Sequence, residues 1–357
     1  MREWEKYIRK VEPYVPGEQP QAEKVIKLNT NENPYPPSPG VEKLLHEMDA
    51  DAFRKYPDPA CGCLVKALAD RYGVSEKEVF TGVGSDDVLA RAFLTFFNSG
   101  KPLLFPDVSY SFYKVWAGLF GIPYETQVLD EEFRIRPEDY KKENGGIIFP
   151  NPNAPTGLFL ELNAVEDIVS ANQDSVVIVD EAYIDFGGKS ALSLTKKYDN
   201  LLVVQTFSKS RSMAGMRIGF AIGDQKLIQA MNNVKYSYNS YTMNTPSLLL
   251  GTEALKDEAY FQTAVSKIME TREWSKECFR KLGFTFPDSM ANFLFVSHPA
   301  CPAETLFEAL KERHIYVRYF REERLADHLR VTVGTRKEME ELFRFLEIYL
   351  KENGYQN

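Results

Sequence analysis

Long apolar runs are missing from this chain of 357 residues. A membrane-spanning helix needs about 18 or more consecutive apolar residues, and no such stretch occurs, so none is expected. The amino end, MREWEKYIRKVEPYVPG, is amphipathic and charged, so no signal peptide is expected either. Cysteine is scarce, with four residues: Cys61, Cys63, Cys278 and Cys301. Cys61 and Cys63 are too close for an easy disulfide and lack a zinc-type partner set, so free thiols in a cytoplasmic setting are expected. The four histidines (His46, His298, His314 and His328) are scattered without metal-ligand spacing, which argues against a metal site. Positive charge is also short. The net charge of −8 and a pI near 5.3 disfavour non-specific binding to nucleic acid or anionic membranes, though not a local basic pocket for a small anion.

What remains is an ordinary globular composition, 44% hydrophobic and 26% charged, on a chain long enough for two domains. Residues 1–40 are rich in Pro and Asn, NENPYPPSPG above all, and read as an extended arm. VEKLLHEM follows as a helix, then the loop KYPDPACGC. Beyond it strands and helices alternate: helix CLVKALADRYG, strand EVFTGVG, helix SDDVLARAFLTFF, strand KPLLFP, helix SYSFYKVWAGLFG, strand PYETQVL. Strand GIIFPNP, a helix near 161–172 and strands SVVIVDEAY and LLVVQTFSK continue the series. These strands are β-branched and scarcely alternate, as a sheet covered on both faces requires. The pattern predicts an α/β fold with a mostly parallel sheet over residues 41–250. One long helix over 246–281 is expected to run along the molecule. Residues 251–357, with short strands FTFPDS, NFLFVSH, IYVRYF and LRVTVG and helices near 302–313 and 336–352, read as a smaller α+β domain joined by part of the arm.

Ligands of open α/β sheets sit at the carboxyl ends of the strands. Gly84-Ser85-Asp86 opens a helix after one strand, which suits a phosphate or merely a capped helix start. Asp180 ends an apolar strand and needs a cationic partner, in a structural ion pair or a site. Ser208 and Lys209 end LLVVQTF, and Arg217 follows eight positions after the lysine. Each has a plain structural explanation alone. Together they suit one chemistry. A lysine in a desolvated, cation-rich pocket forms an imine with an aldehyde. A carboxylate keeps a pyridine nitrogen protonated, an aromatic such as Tyr110 stacks on the ring, and Ser208, Arg217 and a helix start hold a phosphate. That set describes a pyridoxal 5′-phosphate site.

DEAY, TFSKSRSMAGMRIGF and NPNAPTG resemble the fold-type I aminotransferases. The arm LNTNENPYPPSP, the loop KYPDP, GVGSDD and LRVTVGT resemble their histidinol-phosphate aminotransferase branch, and the resemblance runs from about Tyr14 to Arg336. It implies a large domain with a mostly parallel seven-stranded sheet, a smaller α+β domain and an arm. By matching position, Lys209 would carry the cofactor, Asp180 would face the pyridine nitrogen and Tyr183 would donate to the phenolic oxygen. Ser208, Arg217 and the backbone at Ser85 and Asp86 would bind the phosphate, with Tyr110 on the ring. Tyr56 would reach the neighbouring subunit's site in a homodimer. Arg330 and Arg318 would bind the anionic ends of the amino donor and the 2-oxo acid, with Tyr14 or Asn31 closing the pocket from the arm.

Two departures stand out. Ala154 occupies the place before Pro-Thr-Gly where the family usually has Asn, so either Asn153 substitutes or a hydrogen bond is absent. The loop YSYNSYTMN also departs from the branch pattern, which bears on the substrate. The implied reaction is a transamination of histidinol phosphate with 2-oxoglutarate. Aromatic amino-acid transamination and decarboxylation of threonine phosphate are the alternatives on the same cofactor. A non-catalytic relative is disfavoured by Lys209 and Asp180 standing together. A dinucleotide-binding fold is disfavoured because GVGSDD lacks the full glycine spacing.

Overall fold

The computed structural model describes residues 2–20 and 24–355. Strand β1 (Ile26–Lys27) lies in the arm and is followed by helix α1 (Pro39–Glu47) and helix α2 (Gly62–Tyr72). Strand β2 (Val79–Val83) leads into α3 (Gly84–Phe96), β3 (Leu103–Pro106) into α4 (Phe112–Phe120), and then come β4 (Tyr124–Gln127), β5 (Gly146–Pro150) and α5 (Leu162–Ala171). Strands β6 (Val177–Asp180), β7 (Leu201–Thr206) and β8 (Ile218–Gly223) follow, then helices α6 (Gln225–Tyr238), α7 (Thr245–Ala254) and α8 (Glu258–Lys281). The chain closes with β9 (Phe293–Val296), α9 (Ala303–Glu312), β10 (Ile315–Tyr316), β11 (Arg318–Tyr319), β12 (Leu329–Thr332) and α10 (Arg336–Glu352).

Seven strands form the main sheet in the order β2-β8-β7-β6-β5-β3-β4. It is parallel except for β8, which runs antiparallel to both β2 and β7. Every residue of β3, β5, β6, β7 and β8 is buried. The pleat explains how. Ile148, Ile178, Leu202 and Val204 point to a face covered by α3, α4 and α6. Ile147, Phe149, Val177, Val179, Leu201 and Val203 point to the opposite face, under α5. Burial on both faces is what makes the strands near-continuous apolar runs.

A second core gathers α9, α10 and the end of α8 around β9 and β12, and Leu28 from the arm packs into it. Strands β11, β12 and β9 form an antiparallel sheet there, and β1 pairs in parallel with β10. The arm is thus stitched to the carboxyl-terminal core.

Three expectations are corrected. The single helix over 246–281 is two, because α7 ends and Asp257 caps a new start by accepting from the Tyr260 N–H. FTFPDS is not a strand; Thr285 makes one bridge to Ser297. IYVRYF is not one strand but two, with β10 turned to the arm and β11 to β12. Strand β8 and helix α6 were not anticipated. The glycines at both ends of β8 dilute its strand signal.

Candidate active site

The carboxyl ends of β6 and β7, with the start of α3, enclose a cavity of about 170 Å³. Lys209, three residues beyond β7, lines it together with Ser208. Its Nζ donates to the Thr30 carbonyl at 3.2 Å and sits 5.7 Å from the centre of the Tyr183 ring. The arm holds the lysine's backbone too, since Asn33 Nδ2 donates to the carbonyls of Lys209 and Ser210, each at 3.1 Å.

Asp180 enters the same cavity from the end of β6. Tyr113 donates to its Oδ2 at 2.8 Å and the Ala182 N–H to Oδ1 at 3.3 Å. Among the described residues it has no ion-pair partner. Burial pushes its carboxyl up to about 6, against the pull of Tyr113 and Ala182. Its chain neighbour Glu181 is also buried and pushed up to about 7. It faces away, toward Ser190, the Ala191 N–H and Gln205.

The opposite end of the cavity is built around a close backbone crossing. A Cβ at Gly219 would lie 2.3 Å from both Gly84 C and Ser85 N, and one at Gly84 would lie 2.5 Å from Arg217 Nη2. Glycine at both places lets β8 touch the first turn of α3. Asp87 takes the Val83 N–H and Arg91, leaving the turn at Ser85 and Asp86 open toward the cavity. Arg217 reaches in from a left-handed backbone (φ 52°) and donates to Asp86 Oδ2 at 3.2 Å and to Ser208 Oγ at 3.4 Å. Tyr110 donates to Asp86 Oδ1 at 2.9 Å and lines the cavity. Burial and the Asp86 charge push its phenol well above the ordinary value. A helix start, an arginine and a serine hydroxyl are groups that could hold an anion.

The expected residues are not all in this cavity. Ser85, Asp86, Tyr110 and Asp180 line it, as do Tyr183, Ser208, Lys209 and Arg217. Arg318 and Tyr14 line an adjoining groove, which shares Tyr110 with the cavity. Arg330 is held on Asn29 O at 2.9 Å, stacked against Phe293 and Phe320, with its Nε buried and unpartnered. Burial works against its charge. Asn31 bonds Tyr183 from behind, at 2.9 Å. Tyr56 is 82% exposed and packs on Tyr241, away from this chain's cavity.

Asn153 is a correction. Its Nδ2 donates to Val108 O and Thr156 Oγ1, so the amide is turned inward and Ala154 lines the cavity instead. Residues not anticipated include Tyr113, Thr30 and Glu32. Glu32 is within NENP, but nothing in that string says that it faces Lys209.

The family model for aminotransferase class I and II matches residues 23–346. Histidinol-phosphate aminotransferase from Lactococcus lactis is 50% identical over 348 residues, 98% of each chain. That from Pseudomonas putida is 51% identical over 335 residues, 94% of this chain and 96% of the relative. The crystal structure of the Sinorhizobium meliloti histidinol-phosphate aminotransferase with pyridoxal-5′-phosphate superposes with a TM-score of 0.85 at 23% identity, covering 92% of both chains. L-threonine-O-3-phosphate decarboxylase from Porphyromonas gingivalis has a TM-score of 0.79 at 19% identity, covering 92% of this chain and all of that one, so the fold alone does not choose the reaction. The family match and the curated relatives do: the chain belongs to the class I and II aminotransferases, in their histidinol-phosphate aminotransferase branch.

Proposed function

We propose that this chain moves the amino group of histidinol phosphate to 2-oxoglutarate, with pyridoxal 5′-phosphate held on Lys209. One observation carries the choice of donor: identity of 50% with a histidinol-phosphate aminotransferase, spread over 98% of both chains. Amino donor and 2-oxo acid as substrate classes follow from the family itself.

The residues present fit the cofactor. Asp180 is a buried carboxylate with no ion-pair partner among the described residues, which a protonated ring nitrogen would supply. Lys209 offers the amine. The glycine crossing leaves the open turn at Ser85 and Asp86, with Arg217 and Ser208, for a phosphate. When bound, pyridoxal phosphate supplies an aldehyde that takes up the amino group and a ring that draws electrons from the donor's α-carbon. Lys209 Nζ would take the proton from that α-carbon and pass it to the carbon that had carried the aldehyde, and Thr30, Tyr183 and Glu32 line the cavity around it. Tyr110 would cover the ring, and Tyr183 would donate to its phenolic oxygen. Arg330, with a free Nε, and Arg318 would bind the anionic ends of phosphate-bearing donor and dicarboxylate acceptor alike, as a planar fork allows.

The same reading makes the protein a homodimer in which Tyr56 serves the neighbouring site. Its exposure, with its ring against that of the exposed Tyr241, supports this. It divides the chain into an arm (1–40), a cofactor domain (41–250) and a small domain (251–357), supported by a separate carboxyl-terminal core that includes Leu28. A cytoplasmic setting agrees with four free cysteines.

A half-reaction screen tests the donor. Purified protein loaded with pyridoxal phosphate is mixed with histidinol phosphate, phenylalanine, tyrosine or threonine phosphate, and the cofactor's absorbance is followed. Fastest conversion is expected with histidinol phosphate. Faster conversion by an aromatic amino acid, or release of CO2 from threonine phosphate, would overturn the reading.

A further inference from the structure

Ala154 lines the cavity with a methyl group and offers no amide there, and the arm supplies an amide to the Tyr183 hydroxyl. Asn31 is buried and takes a left-handed backbone (φ 56°), which asparagine tolerates better than most residues. Its backbone N–H donates to Thr332 Oγ1 at 3.0 Å, and the Thr332 hydroxyl donates back to Asn31 Oδ1 at 3.1 Å. Asn292 Nδ2 holds the Asn31 carbonyl at 2.9 Å. With Oδ1 facing Thr332, the other end of the amide is fixed: Nδ2 donates to the Tyr183 hydroxyl at 2.9 Å. The phenol oxygen therefore accepts from behind. No acceptor for its own proton stands among the described residues, and Tyr183 lines the cavity. The proton is left to point into the cavity.

We infer that Asn31 is a positioning residue. It locks the Tyr183 hydroxyl as a donor toward the cofactor's phenolic oxygen, on a cavity where Ala154 offers no amide of its own. The lock spans three parts of the chain: the arm, the loop after β6, and β12 two residues past Arg330. The inference does not depend on which amino donor the enzyme uses.

The readout is the pH midpoint of the bound cofactor's visible absorbance, measured on the loaded enzyme without substrate. A hydrogen bond given to the phenolic oxygen weakens that oxygen's hold on the neighbouring imine proton and lowers the midpoint. Lys209, Arg330 and Tyr110 also bear on Tyr183, and none is altered in the variants. Asn31→Gly keeps the left-handed backbone and deletes the amide. It is expected to raise the midpoint by about half a pH unit to one unit, the size of one net hydrogen bond. Tyr183→Phe should raise it at least as much, and the double variant no further than Tyr183→Phe alone. Ala154→Asn should lower the midpoint in the Asn31→Gly background by restoring a donor. An Asn31→Gly midpoint equal to the parent's, with Tyr183→Phe raised, would overturn the inference. So would full additivity in the double variant. If Asn31→Gly does not fold, Thr332→Val, which frees the amide to turn, decides by the same two outcomes.

Discussion

The Tyr113 hydroxyl donates to Asp180 Oδ2 across 2.8 Å, and both side chains are buried. This bond stabilises the carboxylate, yet burial wins, and Asp180 still stands near 6, with Glu181 near 7. Both lie above their ordinary values, 3.8 and 4.5, so folding takes up protons. The stability this gives is complete below the unfolded values and is lost as pH rises through the folded ones. Each shift corresponds to something on the order of 3 kcal/mol. The cofactor-free protein should lose thermal stability from about pH 4 to about pH 7, between the unfolded and folded values of the two groups. A ring nitrogen facing Asp180 removes that group's share and leaves Glu181's. The gap in Tm between cofactor-loaded and cofactor-free protein should therefore widen with pH. Melting curves at a series of pH values check this, and a constant gap would refute the pairing of Asp180 with the ring.

The contact of Gly219 with Gly84 and Ser85 sets a second expectation. A methyl group at 219 would strike backbone atoms at 2.3 Å, where no flexible side chain can yield. Gly219→Ala must push β8 from the first turn of α3, at a cost of about 1–3 kcal/mol. The displaced turn is where the phosphate would be held, so pyridoxal phosphate affinity should fall about tenfold to a hundredfold. Fluorescence titration of the cofactor-free protein measures it. Gly215→Ala, with open space around the added atom, is the control and should leave affinity unchanged.

Local words carried much of this site. Lys209, Asp180 and Ser85 each stand at a strand end, so the alternation of strands and helices sufficed to bring them together. Tyr113 is illegible because it sits among Tyr110, Phe112 and Trp116 in one aromatic stretch, and only the packing of α4 on the sheet shows which ring reaches Asp180. Asn31 and Tyr183 are 152 positions apart, and no periodicity links them. Whether Asn153 could substitute at Ala154 is not legible from the string, since the turn itself decides which of the two neighbours faces the cavity. The break between α7 and α8 carries neither Gly nor Pro in residues 255–257, so its only sequence mark is the capping Asp257.

Among the described residues Arg330 makes one hydrogen bond, to Asn29 O, and its buried Nε makes none. A half-buried guanidinium with an unpartnered Nε could take an anion. Arg330→Lys keeps the charge and loses the fork, so kcat/KM should fall about tenfold to a hundredfold, mostly through KM for the anionic substrates. The cofactor's own absorbance should not change. Steady-state kinetics with both substrates, beside the spectrum, check the two halves of the claim. Near-parental kcat/KM in the lysine variant would remove Arg330 from substrate binding.

Tyr56 offers the decisive test of assembly. Its ring is 82% exposed and packs on Tyr241 rather than on the cavity of its own chain. Suppose it completes the neighbour's site. Lys209→Ala and Tyr56→Ala homodimers are then both crippled, each in both sites. In a mixed dimer the Tyr56→Ala chain keeps its own Lys209 and receives Tyr56 from its neighbour, so that site is whole. The other site carries both defects. Random reassortment of equal amounts makes half the dimers mixed, so about a quarter of the parental activity should return. If Tyr56 acted only within its own chain, each mixed site would keep one defect and nothing would return. Mixing the two variants under mild denaturant, removing it, and assaying with sedimentation as a check on assembly distinguishes these outcomes.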